Sequence, residues 1–309
     1  MDKSPHKSDF VLVNGVQLQY LDWGGTGEVL LFLAGLGCNA HNFDDFAPRF
    51  SDKFHVMALT RRGHGESDHP ETGYDIDTLT EDIRQFLDQL GIDKVILAGH
   101  SMASVELSHF SALYPERVLK LIFLDAAYDR SAASYKNLVE KSPFRQIQPP
   151  GLDVDYYSEE EYFAAMKRAF PYFAPIWTEA VEEQCRHEIM KTADGKIVEK
   201  MSDAINKSIM NTLTSYVPED SKIQVPTLSF FAVSKGIYAI SDDWMTEEQK
   251  AQIMNHFETT EKSWTRENIE QFRQNVPDAK IIEIPQGHHH CFIKHEQLVY
   301  EAMREFLLE

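Results

Sequence analysis

The chain has 309 residues, 49 of them acidic against 30 Lys and Arg, giving a net charge of −19, and 43% of it is hydrophobic. That length supports one large domain, or one domain with an insertion; the charge argues against nucleic acid and anionic membrane surfaces and favours neutral or cationic small molecules. No apolar run reaches the roughly 18 residues of a membrane span, Met1–His6 lacks the apolar core of a secretory signal, and Cys38, Cys185 and Cys291 are odd in number and far apart, so a reduced, cytoplasmic protein is expected. In chain order, Phe10–Val13 and Val16–Tyr20 flank Asn14-Gly15, a strong hairpin signal. Val29–Leu33, Val56–Leu59, Val95–Ala98 and Leu121–Leu124 follow as continuous apolar runs, the pattern of parallel strands covered on both faces, with helices expected between them. Before Val95, Leu79, Ile83, Phe86, Leu87 and Leu90 keep helical spacing, with Thr78 and Glu81 as a capping box and Gly91 as the stop.

From Arg130 to Lys222 the strand–helix rhythm stops. This stretch is rich in aromatics, among them Tyr162, Phe163, Tyr172, Phe173 and Trp177, and reads as a helical insertion over the strand ends. Strand patterns resume at Val225–Val233 and Lys280–Ile284, separated by a helical segment from about Thr246 to Asn275. Gly287-His288-His289-His290-Cys291-Phe292 then leads into a closing helix. The alternation predicts a doubly wound, mostly parallel sheet whose ligands sit at the carboxyl ends of the strands.

Val95–Ala98 runs into Gly99-His100-Ser101-Met102-Ala103, a strand–turn–helix in which the small Gly99 and Ala103 allow a sharp turn. Ser101 reads there either as an exposed nucleophile or as an ordinary helix cap. Other segments narrow the choice. Leu33-Ala34-Gly35-Leu36-Gly37, Arg61–Asp68, Gly99–Ala103, Tyr114–Val118 and the His loop, in this order, resemble the α/β-hydrolase superfamily over essentially the whole chain. The resemblance implies an α/β-hydrolase fold with residues 1–129 and 223–309 as core and 130–222 as a helical cap, and Ser101 as nucleophile.

A serine hydroxyl needs a histidine to take its proton and a carboxylate to orient that histidine. Measured from the last helix, the resemblance implies His289 as the base, with His288 as the alternative. The acid position common in the family, after the strand beginning near Pro226, is held by Lys235 and Gly236. The other family location is the end of the preceding strand, and Asp125 stands there, with Asp129, Asp242 and Asp243 as fallbacks. The oxyanion donors implied are the backbone amides of Met102 and of Leu36 beside Gly35. The Arg61–Asp68 loop reads as a brace and Cys291 as packing. Adjacent histidines in a loop rarely converge on one ion, so no metal and no cofactor are expected.

These residues predict a serine carboxylesterase acting through an acyl-enzyme on a small ester or lactone. Serine-dependent macrolide esterases share the strand-end acid, the long cap and the His loop, so the lactone of a macrolide antibiotic is one expected substrate and an unspecified small ester the other. A ligand receptor without turnover and a cofactor-free lyase or oxygenase are the remaining alternatives. Dehalogenase or epoxide-hydrolase chemistry would need Asp at position 101.

Overall fold

The computed structural model describes residues 6–151, 154–233 and 235–309. Met1–Pro5, examined above for a signal, lie outside them. The chain opens with β1 (Lys7–Val13) and β2 (Val16–Gly24), an antiparallel hairpin turned by Asn14 and Gly15, both at positive φ. Next come β3 (Val29–Leu33), β4 (His55–Leu59), α1 (Ile76–Gln89), β5 (Val95–His100), α2 (Ala103–Leu113) and β6 (Val118–Leu124). Between β6 and β9 lie α3 (Ala133–Glu140), α4 (Glu159–Ala169), α5 (Glu179–His187), the small antiparallel pair β7 (Ile189–Lys191) and β8 (Ile197–Glu199), and α6 (Asp203–Ser215). The chain closes with β9 (Thr227–Val233), α7 (Glu247–His256), α8 (Lys262–Asn275), β10 (Lys280–Pro285), α9 (Cys291–Lys294) and α10 (Glu296–Leu308).

Eight strands form one sheet in the order β1-β2-β4-β3-β5-β6-β9-β10, antiparallel only at β1–β2 and β2–β4. Both faces are covered. Leu31, Leu97, Phe123 and Phe231 pack with Phe86, Phe110 and Phe272 on one side, while Phe32, Ile96 and Phe230 pack with Phe43, Phe292, Met303 and Phe306 on the other. Each such side chain contributes about 1.5–3 kcal/mol when fully buried, which accounts for the unbroken apolar strands.

Two local expectations are corrected. α1 is capped by Asp75, whose carboxylate accepts the Thr78 amide, so Thr78 lies inside the first turn instead of at the cap. The short aspartate side chain three residues upstream of that amide wins the cap. The β3–β4 connection holds two 3-10 turns, Ala40–Phe43 and Ala47–Phe50, in place of an α-helix. The expected helical segment from about 246 to 275 is present, Glu247–His256 and Lys262–Asn275 joined by one π-helical turn, Phe257–Glu261.

The segment between β6 and β9 touches the strand ends through α6. Ile205, Ile209 and Leu213 pack on Tyr74, Met102 and Val105, beside the β5–α2 turn. Gly99 makes that turn possible: a Cβ there would stand 2.7 Å from Leu107 Cδ1 and 3.0 Å from Ala103 Cβ. Replacing Gly99 with Val overpacks the strand–helix seam and should lower stability by about 1–3 kcal/mol, read as a fall in thermal midpoint.

Candidate active site

Three loops meet where β5, β6 and β9 end. Ser101 follows β5 at φ +55° and Asp125 follows β6 at φ +49°, both in the left-handed region that non-glycine residues avoid. The turn lifts Ser101 out of the strand. Its amide reaches the Leu124 carbonyl at 3.4 Å, and its own carbonyl receives the Ser104 amide as α2 begins. His289 comes from the loop between β10 and α9.

The side chains form one line. Ser101 Oγ lies 2.8 Å from His289 Nε2, and His289 Nδ1 lies 2.5 Å from Asp125 Oδ2. Asp125 is wholly buried, and its other oxygen accepts the Tyr128 hydroxyl at 2.5 Å and the Ala232 amide at 2.7 Å. Lys235 Nζ approaches Oδ2 at 3.2 Å and also reaches Glu261 Oε1 at 3.2 Å and the Tyr128 hydroxyl oxygen at 3.3 Å. Burial by itself would push the Asp125 carboxyl up. The Lys235 ammonium and the hydrogen bond from His289 outweigh it and hold Asp125 well below the usual carboxylate range. For His289, burial is the largest influence and lowers its pKa; Asp125 opposes this, and Lys235 and Arg130 add to it. The imidazole is thereby kept neutral and able to accept a proton from Ser101.

The flanking histidines are occupied otherwise. His288 donates from Nε2 to the Tyr172 carbonyl at 2.9 Å, accepts the His290 amide at Nδ1, and is pushed down to about 4, chiefly by burial. His290 Nδ1 meets the Tyr172 hydroxyl at 3.3 Å. His288 and His290 thus turn to Tyr172 and His289 to Ser101 and Asp125, and among the described residues the three rings share no ligand point. Among the described residues, the one His/Cys/Asp/Glu group with donor atoms within 4.8 Å of one another is His6, His41 and Asp44. Its close contacts, His41 Nδ1 to Asp44 Oδ2 at 2.8 Å and His6 Nε2 to Asp44 Oδ1 at 3.3 Å, are those of histidine–carboxylate pairs.

The fallback acids are also placed elsewhere. Asp129 accepts the Ser131 amide and hydroxyl at 2.8 and 2.6 Å, while Asp242, 92% exposed, pairs with Lys250; Asp243 is exposed on the same turn. Gly35 lies against the nucleophile turn, since a Cβ there would come within 3.0 Å of Ser101 Cβ and 2.9 Å of His100 Nδ1. Neither Leu36 nor Met102 gives its amide to a backbone carbonyl among the described residues. Arg61 braces this loop by donating to the Ala34 carbonyl at 3.1 Å and pairing with Glu106 of α2. Cys291 is buried, and that burial holds its thiol well above its ordinary range.

Four partners of this site escape a reading of the sequence. His100 donates from Nε2 to the His289 carbonyl at 3.1 Å, tying the His loop to the nucleophile turn. Tyr128 and Lys235 bind Asp125, and Tyr172 stacks on His288 at 4.2 Å. Only the Lys at the usual acid position carried a signal. A cavity of about 360 Å³ opens on His289 and Leu36 and is walled by Tyr162, Phe163, Tyr172, Phe173 and Trp177.

A family model described as the alpha/beta hydrolase fold matches residues 28–178. The chain is 36% identical over 101 residues to 2-(acetamidomethylene)succinate hydrolase of Mesorhizobium japonicum, covering 33% of this chain and 36% of that protein. It is 32% identical over 171 residues to mouse epoxide hydrolase 4, covering 51% and 46%. The chain thus spans about a third to a half of the length of these curated relatives. The crystal structure of E-2-(acetamidomethylene)succinate hydrolase superposes on 98% of this chain and all of its own with a TM-score of 0.74 at 20% identity, a likeness of fold.

Lys235 generates a test by pH. Replacing it with Met removes a positive charge beside the His289–Asp125 pair, which favours the imidazolium. The acid limb of kcat/KM for an ester substrate should move to higher pH, and an unmoved limb would remove Lys235 from the site's electrostatics.

Proposed function

Since this chain belongs to the α/β-hydrolase superfamily, we propose that it is a metal-free serine hydrolase of carboxylic esters working through an acyl-enzyme. The observation that carries this reading is the unbroken line from the strained Ser101 through His289 to the buried Asp125. His289 Nε2 takes the Ser101 proton as Oγ attacks the ester carbonyl carbon, and the resulting oxyanion faces the amides of Met102 and Leu36. Asp125 holds Nδ1 protonated and stabilises the imidazolium. The imidazolium then protonates the departing alkoxide, and the C–O bond breaks to leave Ser101 acylated. A water, deprotonated by the same Nε2, attacks the acyl carbon; the proton returns to Ser101 as the carboxylic acid leaves.

Epoxide hydrolase appears among the relatives, but that chemistry opens its ring with a carboxylate nucleophile and this chain has Ser at 101. The substrate class follows from the aromatic cavity of about 360 Å³ beside His289. A volume at the lower end of ligand pockets suits one apolar limb of a larger ester. A macrolide lactone belongs to this class, with part of the macrocycle on the aromatic wall and the lactone carbonyl at Ser101. A ligand receptor with this arrangement would bind such molecules without turnover.

A fluorophosphonate probe separates these readings. We expect stoichiometric labelling of Ser101 that disappears in Ser101→Ala; folded protein that resists labelling sinks the hydrolase. Asp125→Asn should lower kcat by about four orders of magnitude by presenting the wrong imidazole tautomer. For the substrate, mass spectrometry of a macrolide panel after incubation should show a gain of one water, about 18 Da, for at least one member; no such product rejects the lactone.

A further inference from the structure

A second cavity, of about 280 Å³, reaches His289 from another side. Tyr128, Arg130, Tyr135, Trp264 and Phe257 line it, and Tyr172 and His289 form walls of both cavities. Its surface is aromatic, with two cations, Arg130 and Lys235, set into it. The cations differ in what they hold. Lys235 is engaged by Asp125, Glu261 and Tyr128. Arg130 has its Nη1 buried without a hydrogen-bond partner, and its guanidinium enters no ion pair among the described residues. Its Cζ lies 5.8 Å from the centroid of the Tyr128 ring.

Arg130 is half-buried, with Nη1 shut from solvent, and the two buried arginines show what a guanidinium N–H out of water ordinarily receives. Arg61 pairs with Glu106 and Arg62 with both oxygens of Asp82, each as a two-pronged contact. Asp125 acts on Arg130 through space, but its oxygens are filled by Tyr128, Ala232, His289 and Lys235, about as many donors as a carboxylate accepts. Glu261 gives Oε1 to Lys235 and Thr265 and does not reach Arg130. A guanidinium with an unpaired N–H out of water is costly unless an anion meets it. Its planar fork matches a carboxylate.

We propose that this cavity is a binding subsite for an organic carboxylate, its anionic end on Arg130 and its apolar or aromatic body against Tyr128, Tyr135 and Trp264. Resting on the hydrolase reading, the consequence is that the preferred ester carries a free carboxylate on the part directed into this cavity, which a small ester can supply and a macrolide lactone lacks. The net charge of −19 describes the molecular surface and leaves the sign at this point to Arg130.

Two measurements on the full chain test the subsite. In calorimetric titration, benzoate should bind saturably and better than the neutral isostere benzamide. Arg130→Met should weaken benzoate about tenfold or more, and Arg130→Lys, which keeps the charge without the fork, should retain part of the affinity. In kinetics, the ratio of kcat/KM for mono(4-nitrophenyl) glutarate to that for 4-nitrophenyl pentanoate should exceed unity and fall about tenfold in Arg130→Met. Benzoate binding no better than benzamide, or equally well in wild type and Arg130→Met, overturns the subsite. The calorimetry needs no turnover, so a protein that fluorophosphonate leaves unlabelled yet binds benzoate through Arg130 loses the hydrolase reading and keeps the subsite.

Discussion

Asp125 is the residue on which the proposed active centre is assembled. One buried carboxylate accepts from a backbone amide of β9, a tyrosine three residues along its own loop, a histidine from the β10–α9 loop and a lysine after β9. Two of these donors, Ala232 and His289, lie 107 and 164 residues from Asp125 along the chain. A buried charge left without partners would be strongly destabilising, so the need to satisfy Asp125 brings the ends of β6, β9 and the His loop into register. Its own left-handed backbone, φ +49°, is held by that same set of bonds.

The residues that approach from between β6 and β9 tie substrate access to this centre. Tyr172 binds two histidines of the loop, stacking on His288 and meeting His290 through its hydroxyl, while its carbonyl accepts from His288. The ring therefore supports the loop that carries His289 and at the same time divides the two cavities on either side. Packing of α6 on Met102 does the same for the nucleophile turn. Movement of this segment would thus alter the acid–base apparatus along with the size of the pocket.

The strands and the elbow were legible because local rules act on them: continuous apolar runs for a doubly covered sheet, and Gly-x-Ser-x-Ala at a strand end for the turn. Ser101 was the most readable member of the site, since its backbone conformation depends on immediate neighbours such as Gly99. The acid was harder to read, because several aspartates stand near strand ends and only tertiary contacts distinguish the buried Asp125 from the solvated Asp242. Asp75 shows the same limit on a small scale, where two residue types competed for one cap. Tyr128, His100 and Arg130 gave no signal in the sequence, because their roles arise from loops that converge only in three dimensions.

The resemblance to the α/β-hydrolases implies an acid near position 235, where this chain has Lys, and the Lys235 ammonium touches the carboxylate of Asp125, the acid proposed here. The two locations therefore lie at opposite ends of one ion pair. A mutation that placed an acid at 235 while Asp125 remained would replace a buried ion pair by two like charges in one buried site, which disfavours ionisation of both. Loss of Asp125 first would leave Lys235 near the imidazole with Glu261 as its remaining carboxylate partner. Charge balance therefore couples the two positions: a carboxylate can pass from 125 to 235 without leaving a buried charge unmatched only if both residues change together.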